Sequence, residues 1–256
     1  MSATATLDGK VISPPIVRLH ISWPFNCYKP ESEKAVRKLS AKGNILLEKF
    51  KGAFKAFELV RTGGFVITDN SYNAASSLVK DIKYFSKDVT AFSLALAELQ
   101  DAEEFADRAG FFLSALVNNC SDREFTIITQ HLVKPLNNFG FENIKNVTIY
   151  GDVGNSIGYN MKRGNITVKG NATDLAGAFM DGGALVVEGD AGDRVGEGMS
   201  DGAICLKGKY NSLCSVMVGG RIYHKRKLIV RNGLKLEGIR FYSGGKLIAE
   251  NGKRVI

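Results

Sequence analysis

The chain has 256 residues, an apolar fraction of 45% and a charged fraction of 23%, enough to bury one large or two small cores and too apolar for a disordered chain. No run approaches the roughly 18 apolar residues of a membrane-spanning helix, and four scattered cysteines exclude a disulfide scaffold. The net charge of +8 is uneven: residues 1–146 carry +2, residues 147–208 carry −3 and residues 209–256 carry +9.

Residues 1–15 hold Ser, Thr, Gly and Pro without a basic segment followed by an apolar one. They read as a flexible tail rather than a secretion signal, and the cytoplasm is the expected location. Residues 31–42 read as a short helix ended by Gly43. Ile45, Leu46, Phe50, Phe54 and Phe57 then fall near helical spacing. Thr62-Gly63-Gly64 marks a turn ahead of a strand at Phe65-Val66-Ile67. Residues 71–85 read as helical, and 89–99 fit either strand or helix because Phe92, Leu94 and Leu96 alternate. Residues 101–118 form the clearest helix. Asp101 is its expected N-cap, Glu103 and Glu104 fall in its first turn, and Phe105, Ala109, Phe112, Leu113 and Leu116 form one stripe. Residues 16–124 are therefore expected to form an α+β cap.

The composition then changes. Fourteen of the 28 glycines fall within residues 147–208, and no proline follows Pro135. Gly151, Gly170, Gly189 and Gly208 stand 19 residues apart, as do Gly158, Gly177 and Gly196, Met161, Met180 and Met199, and Gly164, Gly183 and Gly202. A helix pair needs a longer unit, and so much glycine would cost a helix about 1 kcal/mol per residue. The pairs Val147/Ile149, Ile166/Val168, Leu185/Val187 and Ile204/Leu206 alternate with more polar residues, as short strands do.

Stacking one coil on the next gives a parallel β-helix with rungs about 4.8 Å apart. Residues 19 apart then form ladders: Val147-Ile166-Leu185-Ile204, Ile149-Val168-Val187-Leu206, and a core ladder of Met161-Met180-Met199. Lys169, Glu188 and Lys207 would stack with alternating sign, and Asn171 would separate Asp152 from Asp190. Residues 128–146 fit a preceding coil through Gly140 and Phe141. After Gly208 the interval shortens by one at Met217 and Gly220. The β-helix is assigned to residues 125–232 and a basic C-terminal tail to 233–256.

The pattern G-[D/N]-x-x-[D/N]-x-x-G-x-x-M-x-x-G-x-[I/L]-x-[V/L]-x-G resembles the glycine-rich C-terminal domain (GXGXG) of the glutamate synthase large subunit. It is also similar to the glycine-repeat subunit of formylmethanofuran dehydrogenase. The resemblance covers roughly residues 125–230. It implies a right-handed parallel β-helix acting as a scaffold for catalytic parts located elsewhere in an oxidoreductase or amidotransferase assembly. It implies no catalytic, cofactor-binding or metal-binding residue in the repeats themselves.

Other motifs give way to the repeat. Gly154-Asn155-Ser156-Ile157-Gly158 matches the G-x-S-x-G nucleophile elbow, but Ser156 is replaced by Leu175 and Arg194 in later coils and no helix is expected after it. Asp152, Asp174, Asp190 and Asp193 beside glycines read as turn formers rather than calcium ligands. His20, His131 and His224 and the cysteines (Cys27, Cys120, Cys205 and Cys214) lack close metal-ligand spacing. Dinucleotide and Walker motifs are absent.

The expectation is thus a mainly β protein: a 19-residue-coil β-helix with an α+β cap, serving as a non-catalytic scaffold with a protein partner or as a homo-oligomer. No catalytic, cofactor or metal residue is assigned. The alternative is a small enzyme or ligand-binding protein with a site at the junction of cap and β-helix, where His131, Cys120 and Asp122 are candidates. The basic tail, with Arg221, Lys225, Arg226, Lys227, Arg231, Lys235, Arg240, Lys246, Lys253 and Arg254, reads as a solvated end or as a dock for an acidic protein surface. Nucleic acid is disfavoured by the scarcity of stacking aromatics, and no membrane contact is expected.

Overall fold

The computed structural model describes the backbone of residues 6–7, 10–11, 33–63, 65–66, 68–235, 240–243, 246–250 and 253–254, and side chains over 45–63, at 66 and over 68–233. The chain divides into two compact units, Met1–Ala41 and Lys42–Ile256. In the first, β1 (Thr6–Leu7) pairs antiparallel with β2 (Lys10–Val11). The segment expected as a flexible tail therefore holds a strand pair, and its other residues lie outside the described ones.

Helix α1 (Glu33–Ala56) runs unbroken through Gly43. The helix end expected there does not occur, because a glycine costs a helix about 1 kcal/mol without ending it unless it turns left-handed. Phe50, Phe54 and Phe57 are buried, whereas Ile45 is exposed. The strand expected after the turn is β4 (Phe65–Val66), and it pairs antiparallel with β3 (Arg61–Thr62), which was not expected.

Helix α2 (Thr68–Val79) is shorter than the expected 71–85 segment at its C-terminal end. The ambiguous stretch is helical: α3 (Ser86–Ala95) continues into a 3-10 turn, Leu96–Leu99. Burial of Val89, Phe92, Leu96 and Leu99, with Leu94 exposed, follows helical spacing and explains the choice. Helix α4 (Phe105–Asn119) begins after Glu104, which occupies the N-cap in a left-handed conformation. Asp101 is not the cap. The backbone keeps turning through 99–105, with Ala102 N–H donating to Leu99 O and Phe105 N–H to Ala102 O. The expected stripe on α4 is buried, and Phe111, Ala115 and Val117 join it, so the helix is enclosed on nearly all sides. Phe112 packs on Phe54 and Phe92 with ring centroids 5.6 and 5.4 Å apart. Each such buried ring contributes about 1.5–3 kcal/mol.

After α4 the second unit continues into a β-solenoid of about five turns with roughly 19-residue spacing. Strands β5 (Glu124–Ile128), β6 (Asn146–Tyr150), β7 (Asn165–Val168), β8 (Asp181–Val187), β9 (Asp201–Leu206) and β10 (Arg221–His224) lie side by side in chain order, all parallel. The predicted ladders are the observed registers: Val147 faces Ile166, then Leu185, then Ile204, and Ile149 faces Val168, then Val187, then Leu206. Met161, Met180 and Met199 are fully buried, and Asp181 N–H and Ser200 N–H reach down to Met161 O and Met180 O. The first interval is 22 residues, Phe125 to Val147, and the last is 18, Ile204 to Ile222.

Each coil turns its corner by two overlapping tight turns. In one coil Tyr159 N–H donates to Ser156 O and Met161 N–H to Gly158 O, and in the next Ala178 N–H donates to Leu175 O and Met180 N–H to Gly177 O. The third residue of each turn has positive φ: Gly158 and Asn160, then Gly177 and Phe179. Such turns demand that conformation, which explains the repeated glycine and makes Phe179 a strained exception.

At the open edge of β5, α3 takes the place of a missing strand. Thr90 Oγ1 donates to Thr126 O at 2.7 Å, and Ser93 Oγ accepts from Ile128 N–H at 3.2 Å. Helix α4 does the same for the first corner. Ser114 Oγ accepts from Gly140 N–H at 2.9 Å, and Asn118 Oδ1 accepts from Ile144 N–H at 3.3 Å.

At the other end the parallel stack stops. Strand β10 turns through Lys225-Arg226 into antiparallel β11 (Lys227–Arg231), followed by β12 (Leu234–Lys235). Strands β13 (Arg240–Ser243), β14 (Lys246–Glu250) and β15 (Lys253–Arg254) then repeat this unit. The two units share the period of 19: Arg221, Tyr223, Lys227, Leu228 and Ile229 recur as Arg240, Tyr242, Lys246, Leu247 and Ile248, with identical pairing registers. Within the stretch 233–256 expected as a basic tail, the described residues include the three strands of this second antiparallel unit, and the remaining ones lie outside the described residues.

Candidate functional site

The polar side chains along the solenoid bind the neighbouring coil. Asp152 Oδ1 accepts Asn171 N–H at 2.7 Å, Asn171 Oδ1 accepts Asp190 N–H at 2.8 Å, and Asp190 Oδ1 accepts Lys209 N–H at 2.7 Å. A second column runs from Asn137 through Asn155 and Asp174 to Asp193, each Oδ1 taking the N–H one coil on, at 2.8–3.2 Å, as far as Asp193 N–H. Glu188 Oε1 receives Lys169 Nζ at 2.8 Å and Lys207 Nζ at 2.7 Å. The hydrogen bond from Lys169, then that from Lys207, holds the Glu188 carboxyl below the usual carboxylate range. No group of three His, Cys, Asp or Glu side chains suited to a metal occurs among the described residues.

Ser156 sits in a corner turn with φ of 61°, is nearly buried, and donates its backbone N–H to Asp174 O at 2.8 Å. It is followed by further turns, not by the helix a nucleophile elbow requires.

The three residues considered for a junction site separate into two places. Cys120 ends α4, buried, with Sγ 3.5 Å from Tyr84 O, and burial pushes its thiol pKa up. Asp122 Oδ2 accepts Ser86 N–H at the start of α3 at 2.8 Å, and this bond holds its carboxyl below the ordinary range. Lys145 joins the two by donating to Cys120 O at 2.7 Å and Asp122 O at 2.9 Å. His131 lies past the far end of β5, about 13 Å along a strand from its start. Both its ring nitrogens are buried without a partner among the described residues.

The junction does contain a depression, of about 370 Å³, lined by Arg123, Ile144, Lys145, Asn146 and Arg163. These residues lie at the N-terminal ends of β5, β6 and β7, so three successive coils each supply one cation. Among the described residues no hydrogen bond or ion pair engages the exposed guanidinium of Arg123 or Arg163. Lys145 stands where the register places Gly164, Gly183, Gly202 and Gly220 in later coils. That break in the glycine column is the sequence signal for the depression, and the 22-residue first interval conceals Arg123 as the neighbour of Lys145 one coil earlier. Comparison with family models, curated proteins and solved structures finds no match.

Proposed function

We propose that this protein is a non-catalytic scaffold that holds partner proteins in an assembly. The observation that carries this reading is the use to which the solenoid puts its reactive side chains. The acids, amides and lysines that could form a catalytic set are engaged with backbone N–H groups or counter-charges one coil away. What remains is a rigid surface with a uniform rise of about 4.8 Å per coil, suited to presenting side chains at fixed spacing.

The repeat resembles the C-terminal domain of the glutamate synthase large subunit, so an oxidoreductase or amidotransferase assembly is the proposed setting. A partner carrying an acidic surface would complement the +9 charge of residues 209–256. Native mass spectrometry of the protein isolated gently from its host tests the reading. A defined complex with another polypeptide is expected, one that dissociates steeply as salt rises. A partner-free monomer at low salt would overturn it.

A further inference from the structure

We infer that the depression formed by Arg123, Lys145 and Arg163 binds a compact oxyanion of two or more charges, a phosphate group above all. This stands apart from the scaffold reading, since a scaffold can hold an anion without acting on it.

On one flank of the solenoid Glu188 separates Lys169 from Lys207. At the junction no acid stands among the lining residues, and cations from three adjacent coils share one concavity. Like charges on adjacent strands are unfavourable. The fold does not require them there, because glycine fills the Lys145 column in every later coil.

The two carboxylates flanking Arg123 in sequence each have a hydrogen-bond donor of their own. Asp122 accepts Ser86 N–H, and Glu124 Oε1 accepts Asn146 Nδ2 at 2.7 Å. Two of the three ammonium protons of Lys145 are used on Cys120 O and Asp122 O, which anchors the cation and leaves one donor. Arg123 and Arg163 add two guanidinium forks, whose geometry matches phosphate oxygens. The volume suits a phosphate group with a small substituent rather than a polymer.

Titrating the full-length protein with inorganic phosphate, phenyl phosphate, sulfate and nitrate at constant ionic strength tests this by calorimetry and thermal unfolding. Saturable binding of the divalent anions is expected, with nitrate at least about tenfold weaker, and Arg123→Gln or Arg163→Gln should each weaken phosphate by about tenfold or more. In chloride alone these variants should unfold no earlier than the parent, because each removes repulsion; only the upward shift with phosphate should disappear. Equal binding of both phosphates points to a phosphate monoester as the ligand, and preference for inorganic phosphate to the free ion. Absence of saturable binding at millimolar phosphate, or unchanged binding in both variants, would overturn the inference.

Discussion

The methionine column shows how single residues set the spacing between coils. Met180 is fully buried between Met161 and Met199, and corner glycines leave irregular gaps that a flexible thioether fills. Met180→Ala should lower stability by about 2–5 kcal/mol in denaturant unfolding, whereas Met180→Leu should cost less than about 1.5 kcal/mol. Glu188 offers a pH test. Its carboxyl is held below its ordinary value in the folded state by two lysine hydrogen bonds. Its contribution to stability is therefore complete above the unfolded pKa of about 4.3 and is lost as pH falls through the lower folded value. The unfolding midpoint should drop across that acidic window, and Glu188→Gln should remove its share of the drop. Both sites were legible in the sequence because the repeat alone places them on ladders. The cation cluster was not, since a three-residue lengthening of the first coil shifts Arg123 out of the 19-residue alignment with Lys145.

Among the elements, the strands of the coils were easier to read than the helices. Each strand is half of a repeated alternation, whereas Phe92, Leu94 and Leu96 satisfy both strand and helix periods until burial decides between them. The hydroxyls of α3 and α4 that complete the first coil carry no sequence signature, because Ser and Thr in a helix ordinarily report nothing about a distant edge. Ser114→Ala would leave the buried Gly140 N–H without its acceptor and should cost about 1–3 kcal/mol, measured by chemical denaturation. At the other end, the two-residue turn of the β10–β11 hairpin places Lys225 and Arg226 at φ of 48° and 67°. Such a turn favours Asn-Gly, and the second unit carries Gly244-Gly245 at the matching sequence positions. Lys225→Asn with Arg226→Gly should raise stability by about 1 kcal/mol.

Across the whole molecule, helices and solenoid share one hydrophobic core within the Lys42–Ile256 unit. Stacked coils gain stability from their neighbours on both sides, so the middle of the stack should open last. Hydrogen exchange should be slowest at Ile166, Val168, Leu185 and Val187 and faster in the β10–β11 hairpin; a flat profile would contradict the coil-by-coil account.

A stack of parallel strands is a template for fibre growth, since an unpaired rung can recruit an identical one from another molecule. Here Thr90 and Ser93 occupy one terminal rung, and the chain reversal after His224 covers the other with its own returning strand. Concentrated solutions should therefore resist end-to-end polymerisation.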